Sequence, residues 1–172
     1  VFQAEYGIGD KPRSRGLGEG YKRQTWTRPS QGLREWGVPH AEGWAVNETR
    51  VYVRLNGEGI HDVDHAIEKQ SDAFRIVVVG DSYAAAFEVE REQAFWSVME
   101  RELKRCTPLA NRSVEVINVS NRGFGTIEEL LALRRFGFKY QPDYVVLAFL
   151  TGNDFRNNSK ALKTSKRPYF YR

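Results

Sequence analysis

The sequence is poor in the residues that staple or anchor a chain. Its 172 residues include a single cysteine, Cys106, which excludes an intrachain disulfide and a cysteine-built zinc site and gives no sign of an oxidising compartment. The longest apolar run, residues 145–150, is far short of the roughly 20 residues that cross a bilayer. No basic stretch followed by an apolar one opens the chain, which begins at Val1 rather than Met, so membrane association is expected only if an anchor precedes Val1. Histidine is scarce: His40, His61 and His65 are the full set. No internal repeat, no lysine of the Walker type and no Gly-x-Gly-x-x-Gly turn after a strand is present, so nucleotide binding has no positive support. Acidic residues are missing after Asp154, where Arg156, Lys160, Lys163, Lys166, Arg167 and Arg172 follow. That tail and the net charge of +4 raise the question of nucleic acid. The basic residues gather at the two ends without a nucleic-acid motif, however, so the tail reads as a solvated segment and no nucleic-acid partner is expected.

What is present suffices for one domain with a core plus an extension. Residues 1–47 are dense in Gly, Pro, Arg and isolated tryptophans, and residues 1–72 are expected to form an irregular N-terminal extension that packs through Trp26, Trp36 and Trp44. It carries one short strand, residues 51–55, which alternates like a half-buried β-strand. From residue 73 the pattern changes. Residues 74–79 form a nearly continuous β-branched run, as in a strand buried on both faces. A helix with Phe95, Val98, Met99, Leu103 and Cys106 as its apolar stripe follows, then a strand over 114–119. A second helix begins at Thr126, with Glu129 completing a capping box, and a third strand covers 144–150. Strand, helix, strand, helix, strand at this spacing predicts an α/β fold with a parallel sheet over residues 73–172.

In such sheets ligands bind where loops leave the carboxyl ends of the strands. The first of these loops holds Gly80, Asp81 and Ser82, with Gly80 allowing a sharp turn and Ser82 opening a short helix whose free N–H groups suit an oxyanion. A serine there is, taken alone, more often a helix cap than a nucleophile. The second loop offers Gly123 and Gly125, which expose backbone N–H groups or simply turn the chain. The third, with Gly152, Asn153 and Asp154, puts a carboxamide at a strand end, though Asn and Asp are also ordinary turn formers. Together, one hydroxyl, one glycine N–H and one Asn amide at three successive strand ends make a candidate oxyanion hole, expected to face a shared point about 3 Å from each.

The runs Val79-Gly80-Asp81-Ser82-Tyr83, Asn118 to Thr126 and Thr151-Gly152-Asn153-Asp154 resemble the first three sequence blocks of the SGNH (GDSL-type) hydrolases, over roughly residues 74–157. The stretch from Arg54 to Asp62 resembles the lead-in that some bacterial members carry. The resemblance implies a three-layer α/β/α fold with a flavodoxin-like parallel sheet, and a serine esterase acting on a small-molecule, glycan or lipid ester without metal or cofactor. It implies Ser82 as nucleophile and oxyanion N–H donor, the Gly123 N–H and the Asn153 side chain as further donors, and Gly80, Asp81, Gly125, Gly152 and Asp154 in support. Gly125 is the alternative donor if the loop shifts by two residues. A location in the bacterial cell envelope also follows only from the resemblance. The family's Asp-x-x-His block is missing, because no histidine follows His65. The chain is therefore expected to be a C-terminally incomplete domain, with its catalytic Asp and His beyond Arg172 and little activity by itself.

Other features have competing explanations. His61, Asp62, Asp64 and His65 form a cluster in which the two histidines would share a helix face at i, i+4. Without a HExxH pattern or a third ligand, no metal site is expected, and nothing in the spacing marks either histidine as a base for Ser82. Asp81 is expected to hold its loop rather than act as a catalytic acid. Asn47, Asn111, Asn118 and Asn157 each open an Asn-x-Ser/Thr triplet that chance explains, with Asn118 at a buried strand end. Two alternatives remain beside hydrolysis: a non-catalytic flavodoxin-like domain holding a phosphate or sugar, and an acyltransferase of the same family.

Overall fold

In a computed structural model of the chain, residues 26–30, 33–46, 49–163 and 167–169 are described. Two antiparallel hairpins come first. Strands β1 (Thr27–Ser30) and β2 (Leu33–Gly37) form one, and β3 (Glu42–Val46) and β4 (Arg50–Arg54) form the other. A parallel sheet follows, in the order β6-β5-β7, built from β5 (Ala73–Gly80), β6 (Ser113–Asn118) and β7 (Tyr144–Ala148). Helix α1 (Ser82–Ala85) leaves β5, α2 (Phe95–Leu103) leads to β6, α3 (Thr126–Ala132) leads to β7 and α4 (Asp154–Asn157) follows it. The chain is thus an α/β protein with a three-stranded parallel sheet.

The central strand explains the two-sided core. Val77 and Val79 of β5 meet Ile117, Phe124, Ala132, Leu133 and Trp36 on one face. Ile76 and Val78 meet Val116, Ala94 and Trp96 on the other. Burying each valine contributes roughly 1.5–3 kcal/mol. The stripe of α2 differs from the expected one. Trp96 is buried, with Met99 and Leu103 packed behind it, while Phe95 is exposed and Cys106 lies exposed beyond the helix. Indole can bury its N–H here because Ala84 O accepts it at 2.9 Å.

The N-terminal part is more regular than expected, with four strands where one was foreseen. The hairpins cover defined parts of the α/β unit. Trp36 stacks on Phe136 at 4.1 Å between ring centroids, and the core of β3 and β4 packs Val51, Val53 and Leu55 with Ala85 and Phe87 just after the first loop. Trp26 and Trp36 are buried, but Trp44 is 48% exposed, stacked under Arg50 and edge-on to Tyr52. Residues 1–25 of the expected extension lie outside the described residues.

Carboxylates close the free edge of β6. Asp62 accepts from Asn118 N at 2.8 Å and Glu100 from Val116 N at 2.9 Å, so these two outward N–H groups offer no template for another strand. The other outer strand, β7, ends at Ala148, earlier than expected, and leaves Tyr144, Val145 and Leu147 exposed. No helix among the described residues is long and apolar enough to cross a membrane.

Candidate active site

Sequence and packing both require a sharp, close turn at the end of β5. A Cβ on Gly80 would lie 2.7 Å from Ala84 Cβ and 3.0 Å from Ala148 Cβ, so glycine lets α1 and β7 approach each other. Asp81 then caps α1, its Oδ1 accepting from Tyr83 N at 2.9 Å. Ser82 is the first helical residue and half-buried. Neither its Oγ nor its N–H makes a hydrogen bond among the described residues. A helix of one turn has little macrodipole, so what this loop offers an anion is individual N–H groups.

The far end of α1 is held by side chains. Its carbonyls at Ala84 and Ala85 are met by Trp96 Nε1 and, at 3.0 Å, by His61 Nδ1. Ala86 closes the turn in the left-handed region, with φ 54°.

The second loop is tied to the first by Asn121 N donating to Gly80 O at 3.3 Å. Gly123 has φ 75°, a conformation that glycine adopts without strain, and its N–H has no hydrogen-bond partner among the described residues. Gly125 differs. Its N–H donates to Glu128 Oε2 at 3.0 Å, and a Cβ there would lie 2.7 Å from Asn157 Cβ. Gly125 is therefore a close-packing cap of α3 and not a free donor. The capping pair sits one residue earlier than expected, Gly125 with Glu128 in place of Thr126 with Glu129.

The third loop is joined to the first by its carboxamide. Asn153 Nδ2 donates to Asp81 Oδ2 at 2.8 Å, which leaves its second N–H for another acceptor. Asp154 is buried and accepts from Leu150 N at 2.7 Å. Gly152 is exposed with no heavy atom near its would-be Cβ, so no packing demand calls for glycine there. Loops two and three are bridged by Asn157 Nδ2 to Phe124 O at 3.3 Å and by Arg167, which reaches Asn157 O and, at 3.0 Å, Gly123 O.

Four buried carboxyl groups lie behind these loops: Asp81, Glu128, Glu129 and Asp154. Arg167 lies 3.6 Å from Glu128, and both side chains are 1% exposed. The expectation of a solvated basic tail is corrected at this residue. Burial, then the charges of Asp154, Asp81 and Glu128, push the Glu129 carboxyl up to about 8. Burial first, with Asp81 and Glu128, also raises Asp154 against the pull of Leu150 N–H and Arg167.

The histidine cluster forms no helix; residues 57–68 run as turns and loop. His61 holds α1, and burial lowers its pKa. His65 Nε2 pairs with Asp62 Oδ2 at 3.2 Å. Burial opposes its charge, but the bond to Asp62 and the charges of Asp62 and Glu115 outweigh that and raise it. Asp64 accepts from Gly57 N. Neither His61 nor His65 bonds Ser82, and among the described residues no three His, Cys, Asp or Glu side chains could hold a metal ion. Of the glycosylation triplets, Asn118 and Asn157 are buried, Asn111 is exposed, and Asn47 lies outside the described residues.

Sequence reasoning brought Ser82, Gly123 and Asn153 to three loops stitched along one sheet edge. It missed Glu128 and Trp96, gave Glu129 a capping role, put Arg167 in a solvated tail and weighed His61 only as a metal ligand or base. The adjacent glutamates at the start of a helix carried a signal, since only one of two neighbours can serve as the cap residue. No family model, no curated protein and no solved structure matches the chain.

Proposed function

We propose that this chain carries the nucleophile and oxyanion-binding part of a serine acyl hydrolase of the SGNH type, acting on an ester-linked acyl group. One observation carries the reading: among the described residues Ser82 Oγ, Ser82 N–H, Gly123 N–H and one N–H of Asn153 remain unengaged on three loops that are otherwise tied together. Ser82 attacks the ester carbonyl and gives up its proton to the general base, the three donors hold the oxyanion, the alcohol leaves with that proton, and water then releases the acyl group from Ser82 as a carboxylic acid. Asp81 is a positioning residue that fixes both the turn of Ser82 and the carboxamide of Asn153. The reading takes its general base from the resemblance and from no described residue, since His61 and His65 are engaged with Ala85 O and Asp62. The finer fold belongs to the same proposal: a three-layer α/β/α, flavodoxin-like sheet in which β7, with Tyr144, Val145 and Leu147 exposed, is an interior strand.

The test is ester turnover by the product of the complete reading frame. A short-chain nitrophenyl ester should give a burst of about one acyl group per protein, lost in Ser82→Ala. A folded protein without burst or turnover across an ester panel counts against catalysis. One observation favours a second reading, anion binding without chemistry: no histidine among the described residues bonds Ser82. Binding of inorganic phosphate or a sugar phosphate that weakens in Gly123→Ala, without turnover of any ester, would support it. Acyl transfer in place of hydrolysis would appear as turnover that depends on an added hydroxyl acceptor.

A further inference from the structure

The second loop is held by a residue from far down the chain. Arg167 Nη2 donates to Gly123 O at 3.0 Å, and its Nη1 donates to Asn157 O at 3.4 Å. Its Nε lies 3.6 Å from Glu128 Oε1, and both side chains are 1% exposed. The other oxygen of Glu128 accepts from Gly125 N at 3.0 Å. One guanidinium thus meets the second loop at a carbonyl and, through Glu128, at an N–H two residues later, while it also holds α4. A planar fork of five donors suits this task, whereas an ammonium on a flexible stem cannot keep three acceptors in three directions. A buried guanidinium must be paired. Its partners lie on both loops, so the cost of burying it is offset only while the loops stay together.

The chain around Gly123 is tied on both sides. Upstream, Arg122 N donates to Asn121 Oδ1 at 2.8 Å. Downstream, the carbonyls of Gly123, Phe124 and Gly125 accept from Arg167, from Asn157 Nδ2 at 3.3 Å and from Glu129 N at 3.0 Å. The peptide that carries the Gly123 N–H therefore lies between two anchored peptides, and that N–H has no partner among the described residues. Gly123 stands at φ 75°. Glycine populates both signs of φ with similar ease, so the residue does not by itself fix where its N–H points. Its neighbours must do so, and Arg167 holds the carbonyl of Gly123 itself.

We propose that Arg167 is a positioning residue of this site, clamping the second loop to α4 so that the Gly123 N–H stays turned toward the oxyanion. The catalytic consequence rests on the esterase reading; the buried clamp does not. The effect of Arg167 passes through Gly123. An oxyanion donor acts on the transition state more than on the bound ester, so loss of the clamp lowers kcat and leaves KM little changed.

Two measurements separate the clamp from its consequence. The first is NMR of the chain as it stands. Wild type should show guanidinium N–H resonances of Arg167 that exchange slowly with water, and Arg167→Lys, which keeps the charge facing Glu128, should move the carbonyl carbon-13 signal of Gly123. The second is turnover of a short-chain nitrophenyl ester by the product of the complete reading frame. There Arg167→Lys should lower kcat by about 10 to 100-fold, less than outright removal of an oxyanion donor costs. Guanidinium protons that exchange as fast as those of a solvated arginine, an unmoved Gly123 carbonyl signal, or a folded Arg167→Lys with wild-type kcat overturns the proposal. So does a loss that falls on KM in place of kcat. Ester turnover with an unmoved carbonyl signal would sink this inference and leave the esterase reading standing. The clamp seen by NMR in a protein inert toward every ester would sink that reading, and the positioning role with it.

Discussion

The two ends of the parallel sheet treat buried polar groups in opposite ways. At the amino end Arg75 is 1% exposed, yet all five of its side-chain N–H groups are paired, to Glu115 and to the carbonyls of Ala66, Ile67, Glu68 and Tyr140. At the carboxyl end both oxygens of Glu129, one each of Asp154, Asn153 and Asn157, and the Ser120 hydroxyl are buried without partners among the described residues. A satisfied buried network is architecture, whereas unmet groups gathered at one sheet edge mark where a fold has accepted a stability cost for a site. Arg75 thus closes the bottom of the sheet, whereas the loops above leave buried polar groups unmet among the described residues.

Four substitutions sharpen or break that contrast. Ser82→Ala should abolish acyl-enzyme formation, with unchanged thermal stability, because its hydroxyl supports nothing in the fold; a matching loss of stability would mean the serine is only a cap. Asn153→Ala should lower turnover by about 100 to 1000-fold, the usual effect of one oxyanion donor, and the effect should appear in kcat more than in KM. At the opposite end, Arg75→Met should cost about 1–3 kcal/mol in denaturant unfolding, since it takes the donor from four carbonyls and from the half-buried Glu115 carboxylate. It should leave the kinetics of the surviving folded fraction unchanged. Gly123→Ala should cost about 1–2 kcal/mol from its positive φ alone and slow turnover further if its N–H shifts. An Arg75 variant as mild as a surface substitution would remove the contrast.

Much of this division was legible in the chain, and what was missed has definite causes. The β-branched runs at 74–79 and 114–119 fall on β5 and β6, because a strand covered on both faces has almost no freedom in composition. Arg75 stood out in that run only after its ring of carbonyl acceptors was visible. Of the hairpins at 27–54 only β4 was foreseen, from the alternation of residues 51–55, because strands of four or five residues interrupted by Gly and Pro carry little periodic signal. The stripe of α2 was right at Met99 and Leu103 but began on exposed Phe95 in place of buried Trp96, since adjacent aromatics leave the start of a short stripe undetermined. His61 and His65 matched a helical spacing, but each is engaged by tertiary partners, Ala85 O and Asp62, from segments that local reasoning does not connect. Arg167 looked like part of a solvated tail because nothing local reveals that Glu128 and Gly123 O receive it.

The most direct test of the central claim is covalent capture. The product of the complete reading frame, treated with a fluorophosphonate and digested, should yield a single modified peptide with the adduct on Ser82, and Asn153→Ala should slow its formation at least tenfold, as loss of an oxyanion donor requires. An adduct on another serine, or equal rates with and without the Asn153 carboxamide, would contradict the account.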